Sequence, residues 1–220
     1  MTFVDEAPSA PAQLPEHVVI DPAILYFGTP VVLISTTAAD GRVNLMPMSS
    51  AFWLGHTGLL GLGVRSQTAQ NLRDTGECVL NLPSADLVSQ VDALALTTGR
   101  DPVPSSKAEV GYRYVADKFG RAGLTAVPSD LVAAPRVAQC PVAMEARVSD
   151  VRELASGGAL VAEVEVLRVH VHEAVRMDGH PNRIDPDRWR PLIMSFQRFY
   201  GLGPEVHPSR LSSIPESWYR

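Results

Sequence analysis

The segment Gly61-Leu62-Gly63-Val64-Arg65-Ser66-Gln67-Thr68-Ala69-Gln70-Asn71-Leu72 closes an apolar strand, crosses a short polar turn and opens a helix. A helix's first turn offers unpaired N–H groups and a partial positive charge. Hydroxyls at Ser66 and Thr68, with the guanidinium of Arg65, would complete a compact cradle for a phosphate. Either hydroxyl would serve as well as a plain N-cap, and the segment leaves both readings open. The Gly61-x-Gly63 pair is no dinucleotide fingerprint. Ser66 replaces the third glycine, no acidic residue follows at the required distance, and the surroundings are not βαβ.

A second segment, Asn44-Leu45-Met46-Pro47-Met48-Ser49-Ser50-Ala51-Phe52-Trp53, starts as a strand and is expected to break at Pro47. It sets small polar groups and free backbone beside methionine and aromatic side chains. Such a ridge suits a flat heterocycle, with backbone amides reaching its polar rim. A core strand with a bulge is the plainer alternative. His170-x-His172 on one strand face would be able to ligate a metal. No carboxylate or third histidine stands at a convincing spacing, so an outward or interface face is expected and no metal site is assigned. P-loop, HExxH and GxSxG patterns are absent.

Positioning these residues falls to a chain of 220 residues, enough for one domain with a substantial core. A net charge of −5 gives no electrostatic ground for nucleic acid or an anionic membrane as partner. An anionic ligand therefore needs a local site. Cys78 and Cys140 form neither a CxxC pair nor a zinc spacing, and a reducing, cytoplasmic setting follows. Cys78 lies in an apolar run and reads as core. Asp5, Glu6 and nearby prolines interrupt any signal peptide, and Asp21, Pro22 and Pro30 break the most apolar stretch as a membrane span.

Residues 1–17 read as an arm, 18–205 as one domain with a helical and loop excursion at 97–125, and 206–220 as a tail. Strands are expected at 31–36, 42–46, 59–64 and 77–81, and as two long runs at 142–151 and 160–171 joined by Ser156-Gly157-Gly158. Helices are expected at 68–74 and after Ser84, where Leu87, Val88, Val91, Leu94 and Ala95 share a face. In the last strand the apolar parity shifts between Val166 and Leu167, which is what a β-bulge produces. The pattern predicts a mainly β fold, an antiparallel barrel with a few peripheral helices.

Taken in order along the chain, these segments resemble the FMN-binding split-barrel proteins related to flavin reductases, in particular their flavoredoxin-like branch. The resemblance runs from about Gly28 to Gly203. It rests on Asn44-x-x-Pro47-Met48-Ser49, on Ser66-x-Thr68-x-x-Asn71-Leu72 leading into Gly76-Glu77-Cys78-Val79-Leu80-Asn81-Leu82, on Asp117-Lys118-Phe119 with Ala122-Gly123-Leu124-Thr125, and on Pro191-Leu192 with Phe199-Tyr200-Gly201-Leu202-Gly203.

The resemblance implies an antiparallel Greek-key split barrel and a homodimer with FMN near the subunit interface. Met46, Pro47, Met48, Ser49, Ser50 and Ala51, with Asn44 before them, would line the isoalloxazine and ribityl chain. Arg65, Ser66, Gln67 and Thr68 would hold the phosphate, and Lys118 and Phe119 would close the site. Chemistry in such proteins belongs to the flavin, so no catalytic side chain is named. Reductases that use NADH often carry Gly-Asp-His before the strand that here starts near Leu160. This chain has Ala155-Ser156-Gly157-Gly158 there, and Asp178-Gly179-His180 comes later in another order. Three functions stay open: an FMN oxidoreductase using NAD(P)H, with a monooxygenase or redox protein as partner; a flavoredoxin-like electron carrier; and a metal-dependent barrel using His170 and His172.

Overall fold

The computed structural model describes residues 14–215 and Trp218. Short β-branched runs separated by tight turns form hairpins, and the chain begins with them. They are β1 (Phe27–Pro30), β2 (Val32–Thr37), β3 (Val43–Met48), β4 (Ala51–Leu54) and β5 (Thr57–Gly63). Helix α1 (Gln67–Thr75) leads into β6 (Glu77–Leu82), and α2 (Val88–Asp92) follows. An irregular stretch carries β7 (Thr97–Thr98), α3 (Ser105–Ala108), β8 (Arg113–Tyr114), α4 (Lys118–Ala122), β9 (Ala126–Val127) and β10 (Arg136–Val137). Two long strands, β11 (Val142–Glu153) and β12 (Ala159–Val171), precede β13 (Leu192–Ser195) and β14 (Arg198–Gly201).

Seven strands form one antiparallel sheet in the order β3-β2-β6-β11-β12-β5-β4. Its edge strands β3 and β4 are consecutive in the chain, separated only by Ser49 and Ser50. Three peptide steps reach no further than about 11 Å, so the sheet must curl until its edges approach. No ladder joins β3 to β4 among the described residues, and the result is a barrel left open along one seam. At that corner Gly61 N–H donates to the Ser50 carbonyl at 2.7 Å, and a Cβ on Gly61 would stand 3.0 Å from that of Ser50. The glycine read above as a failed dinucleotide signature is there because backbone crosses backbone.

Inside the curl, Val32, Ile34, Leu60, Leu80, Leu160 and Val164 form the main core. The other face of β2 and β3 buries Leu33 and Leu45 against Leu87, Val91, Leu94 and Phe119. Both faces of β2 are therefore covered, which explains its unbroken apolar run. The expected bulge in β12 is present. Glu145 faces Arg168 while its neighbour Ala146 faces Val166, leaving Leu167 as the extra residue.

Three expectations are corrected. Pro47 does not break β3, which runs on to Met48. The helix after Ser84 divides into a 3-10 turn and α2, and the Ser84 hydroxyl bonds Asp86 instead of capping it. Ala95, expected on the buried face, is exposed beyond that helix. Residues 14–26 form no helix or strand, and all but Ile24 are exposed. The rest of the expected arm, residues 1–13, lies outside the described residues.

Candidate functional site

Helix α1 docks on the β2–β3 hairpin through polar groups. Ser66 caps it, its Oγ accepting from Ala69 N–H at 3.0 Å, and Gly76 ends it in the left-handed conformation at φ 69°. Spacing of three puts Thr68 and Asn71 on one helix face. They meet the cross-strand pair Thr36 and Asn44. Asn71 Nδ2 donates to Thr36 Oγ1 at 2.9 Å, Asn44 Nδ2 to Thr68 Oγ1 at 2.9 Å, and Gln67 Nε2 to Asn71 Oδ1 at 2.7 Å. Thr36, Asn44, Thr68 and Asn71 are all buried.

One atom of this seam is left over. Asn44 is 5% exposed, and its Oδ1 has no hydrogen-bond partner. Turning the amide over only exchanges an orphan acceptor for an orphan donor. Opposite it stands Gly99, where a Cβ would come within 2.5 Å of Oδ1. The pair borders a cavity of about 220 Å³ lined also by Arg42, Gln67, Asn71, Lys118 and Phe119. A more open cleft of about 350 Å³ adjoins it, sharing Ala38, Arg42, Gln67, Asn71 and Gly99 and adding Asp40, Asp74, Arg100 and Asp101.

Lys118 opens α4, whose cap is Asp117 accepting from Gly120 N–H at 2.8 Å. The lysine is 4% exposed, and its Nζ donates to the Leu45 carbonyl at 3.0 Å. Burial, and then the like charge of Lys107, push its amine down to about 8. Leu45 lies on β3, an edge strand. Backbone groups on an edge alternate between partner and solvent. The carbonyl that meets Lys118 shows that the backbone groups of Leu45 face off the edge, and those of Pro47 two residues on do the same. A proline there sacrifices no ladder bond, and β3 continues through it. The outward edge of β3 leads from the cavity past half-buried Met46, Pro47 and Met48 to the Ser49-Ser50 corner.

The model of the flavin reductase like domain matches residues 24–203, most of the chain. The chain belongs to the flavin reductase-like family. An uncharacterised protein of Bacillus subtilis, YdfE, is 39% identical over 189 residues, covering 85% of this chain and 90% of its own. Among solved structures, flavoredoxin of Desulfovibrio vulgaris (Miyazaki F) superposes with a TM-score of 0.74 at 23% identity, covering 90% of this chain and 99% of its own. Nitrilotriacetate monooxygenase component B of Bacillus cereus gives 0.70 at 18% identity, covering 89% and 100%. These two share the fold.

Against this flavin reductase-like frame, Asn44, Gln67, Lys118 and Phe119 come together at the cavity, with Thr68 behind Asn44. Met46, Pro47, Met48, Ser49, Ser50 and Ala51 follow along β3 and round the corner. Ser66 acts as the N-cap, and Arg65 is exposed and outside the cavity lining, its carbonyl accepting from Arg100 at 3.2 Å. Sequence reading missed Arg42 and Gly99 as cavity walls. Gly99 sits in a polar stretch with no period, and no local signal marks it.

The two histidines diverge. His170 Nε2 lies 2.5 Å from Glu145 Oε1, while His172 Nε2 meets the Ala138 carbonyl at 2.9 Å. Carboxylates do stand beside His170, contrary to expectation: Asp130, Glu145 and His170 offer atoms within 4.8 Å of one another. They come from a partner strand and a distant loop, so no sequence spacing reveals them. His170 is half-buried under that loop, not on an outward face. Glu145 is already occupied by the N–H groups of Asp130 and Leu131, at 3.0 and 2.6 Å. Cys78 and Cys140 are buried, and burial pushes each thiol up to about 12, which removes them as nucleophiles.

Proposed function

We propose that this chain binds FMN in the Lys118 cavity and along the open edge of β3, and works as an FMN-dependent oxidoreductase. The observation that carries the reading is the junction of the two: an unpaired strand edge leads out of a cavity with an uncompensated cation and an orphaned amide oxygen. FMN has the matching parts. Its phosphate suits the cation, its ribityl hydroxyls suit Asn44 Oδ1, and the polar rim of its ring suits an open edge. Met46 to Ala51 line the ring and ribityl chain. Lys118 and Gln67 form the phosphate end, with Phe119 closing the cavity beside them, Thr68 and the cap Ser66 behind, and Arg65 at the exposed rim.

The bound flavin supplies the hydride and electron chemistry. The protein's part is to hold the ring against β3 and shield it, and no side-chain acid or base is assigned. We take NAD(P)H as the electron donor and a monooxygenase or redox protein as a partner, in line with the component B likeness. The working unit is a homodimer. Exposed apolar side chains in the irregular segment before β1 (Val18, Val19, Ile20, Leu25) and on β4 (Phe52, Leu54) give a second copy something to cover.

One observation favours the second reading, an electron carrier. The hairpin between β11 and β12 has Gly157 and Gly158, both at φ 73°, where NADH-dependent reductases often have Gly-Asp-His. Asp178 of the later Asp178-Gly179-His180 is taken by Arg188. The visible spectrum of the purified protein, with chromatography of the heat-released chromophore, tests the flavin reading. Released FMN supports it; a colourless protein that fails to quench FMN fluorescence sinks it. Rapid NAD(P)H oxidation with added flavin then marks a reductase, and near-inertness marks a carrier.

A further inference from the structure

Lys118 is buried in a protein that gives its charge no counterion. Its one hydrogen-bond partner is the neutral Leu45 carbonyl, and it forms no ion pair with any carboxylate among the described residues. The neighbouring charged groups offer no relief. Lys107 of α3 repels it. Asp117 is directed to the N–H of Gly120 as the cap of α4. Arg42, across the cavity, is held by Asp40 at 2.7 Å. Tyr114 lines the same cavity. Asp92 at the end of α2, which packs on α4, is exposed, and Arg121 on α4 itself reaches back to the Ala93 carbonyl. Beside the lysine, Asn44 Oδ1 waits buried and unpaired.

A buried amine without an anion loses its proton readily, and one with an anion keeps it. We propose that Lys118 is a proton-linked receptor for a phosphate monoester: it binds the phosphate as an ammonium, and wherever the free amine has lost its proton it takes one up from solvent as the phosphate enters the cavity. The proposal rests on the FMN reading above and adds a pH dependence to it. The neutral amine and the free dianion go in, with a proton; an ammonium–phosphate pair results, and nothing is oxidised or reduced.

The sign follows from the linkage. With the free lysine near 8, the protein is already charged at pH 7 and binds without proton uptake. Above pH 8 each binding event must fetch a proton, so affinity falls as pH rises. FMN affinity should drop roughly tenfold between pH 7 and pH 9, with close to one proton taken up per FMN at pH 9. Riboflavin carries the same ring without the phosphate, and its affinity should stay flat with no uptake.

The experiment is calorimetric and fluorescence titration of the whole chain with FMN and with riboflavin at pH 7 and 9, in two buffers of different ionisation heat. Lys118→Met should bind FMN about a hundredfold more weakly at pH 7, lose the pH dependence, and leave riboflavin unchanged. Lys118→Arg, permanently charged, should keep FMN binding but abolish proton uptake, which guards against a folding defect in the methionine variant. FMN binding that is flat in pH and free of uptake overturns the proposal while sparing the flavin reading. Equal uptake with riboflavin overturns it too, because the lysine then answers to the ring. Failure of both flavins to bind at pH 7 overturns the flavin reading and the proposal with it.

Discussion

Two buried polar clusters flank the sheet, and they are built in opposite ways. Glu145 on β11 is wholly buried, yet every direction is answered: its oxygens accept from Asp130 N–H, Leu131 N–H and His170. Arg168 then holds Asp130 at 2.6 Å. Lys118 and Asn44, at the far side of β6 and β2, are buried just as deeply and left incomplete. A completed buried network rigidifies a fold, whereas an incomplete one costs stability and persists where something outside the chain completes it. The first cluster staples the loop at 129–135 to the sheet; the second is a receptor.

The sharpest test of the contrast removes the complete cluster's centre. Glu145→Ala leaves the part-buried N–H groups of Asp130 and Leu131, and His170, without their acceptor, and should lower folding stability by about 2–4 kcal/mol. Chemical denaturation reads this directly. Burial pushes the Glu145 carboxyl up, but its hydrogen bonds outweigh that and hold it below the ordinary range. A carboxyl depressed on folding contributes stability that is complete above its unfolded value and lost as pH falls through the folded one. Wild type should therefore lose this part of its stability on acidification below about pH 4.5, and the alanine variant should not.

Lys118 should behave in the reverse sense in the ligand-free protein. Replacing an uncompensated buried cation by an apolar chain of similar length relieves desolvation, so Lys118→Met should gain about 1–3 kcal/mol at pH 7. Between pH 8 and 10.5 the unfolded chain binds more protons than the folded one. Wild-type stability should rise through that window, and the variant's should stay flat. Thermal melts at pH 7 and pH 9.5 decide it. A large loss at pH 7 would make the Leu45 contact structural and erase the distinction between the clusters.

How far the sequence disclosed these two places differs for physical reasons. Six strands of the main sheet and the bulge at Leu167 are written in local periodicity and were legible. The four-residue strands β1, β4, β13 and β14 are too short to show a period and were not. The α1 seam was half legible, because Thr68 and Asn71 share a helical spacing that any reader can count. Glu145, Asp130 and His170 were not, since their meeting depends on strand register and on a loop 15 residues upstream of Glu145. Pro47 misled for the opposite reason. Its local rule, that proline ends a strand, yields to topology once β3 is an edge.

The incomplete cluster also depends on the space left around Asn44. Gly99→Ala would press a methyl group against Oδ1, at 2.5 Å before relaxation, on a side chain already tied to Thr68. Relief requires the amide to rotate and break that bond or the 98–101 turn to move outward. FMN affinity should fall by about 1–2 kcal/mol, or roughly fivefold to thirtyfold, with smaller loss of fold stability. Fluorescence titration beside a denaturation curve separates the two. Equal losses in both would show that Gly99 serves packing alone.

The smallest effect is expected at the rim. Arg65 was the natural phosphate ligand in the sequence, but its side chain is exposed and stands outside the cavity lining. A solvent-screened guanidinium is worth about 1 kcal/mol or less, against 1.5–3 for a shielded charge-assisted contact. Arg65→Ala should weaken FMN by about fivefold in low salt and by less as salt screens it. A loss beyond thirtyfold would put the phosphate on the first turn of α1, at Ser66, and remove it from Lys118. An unchanged dissociation constant would leave the buried lysine as the cation that holds it. The ratio of the Arg65 and Lys118 effects thus reports how deep the phosphate sits.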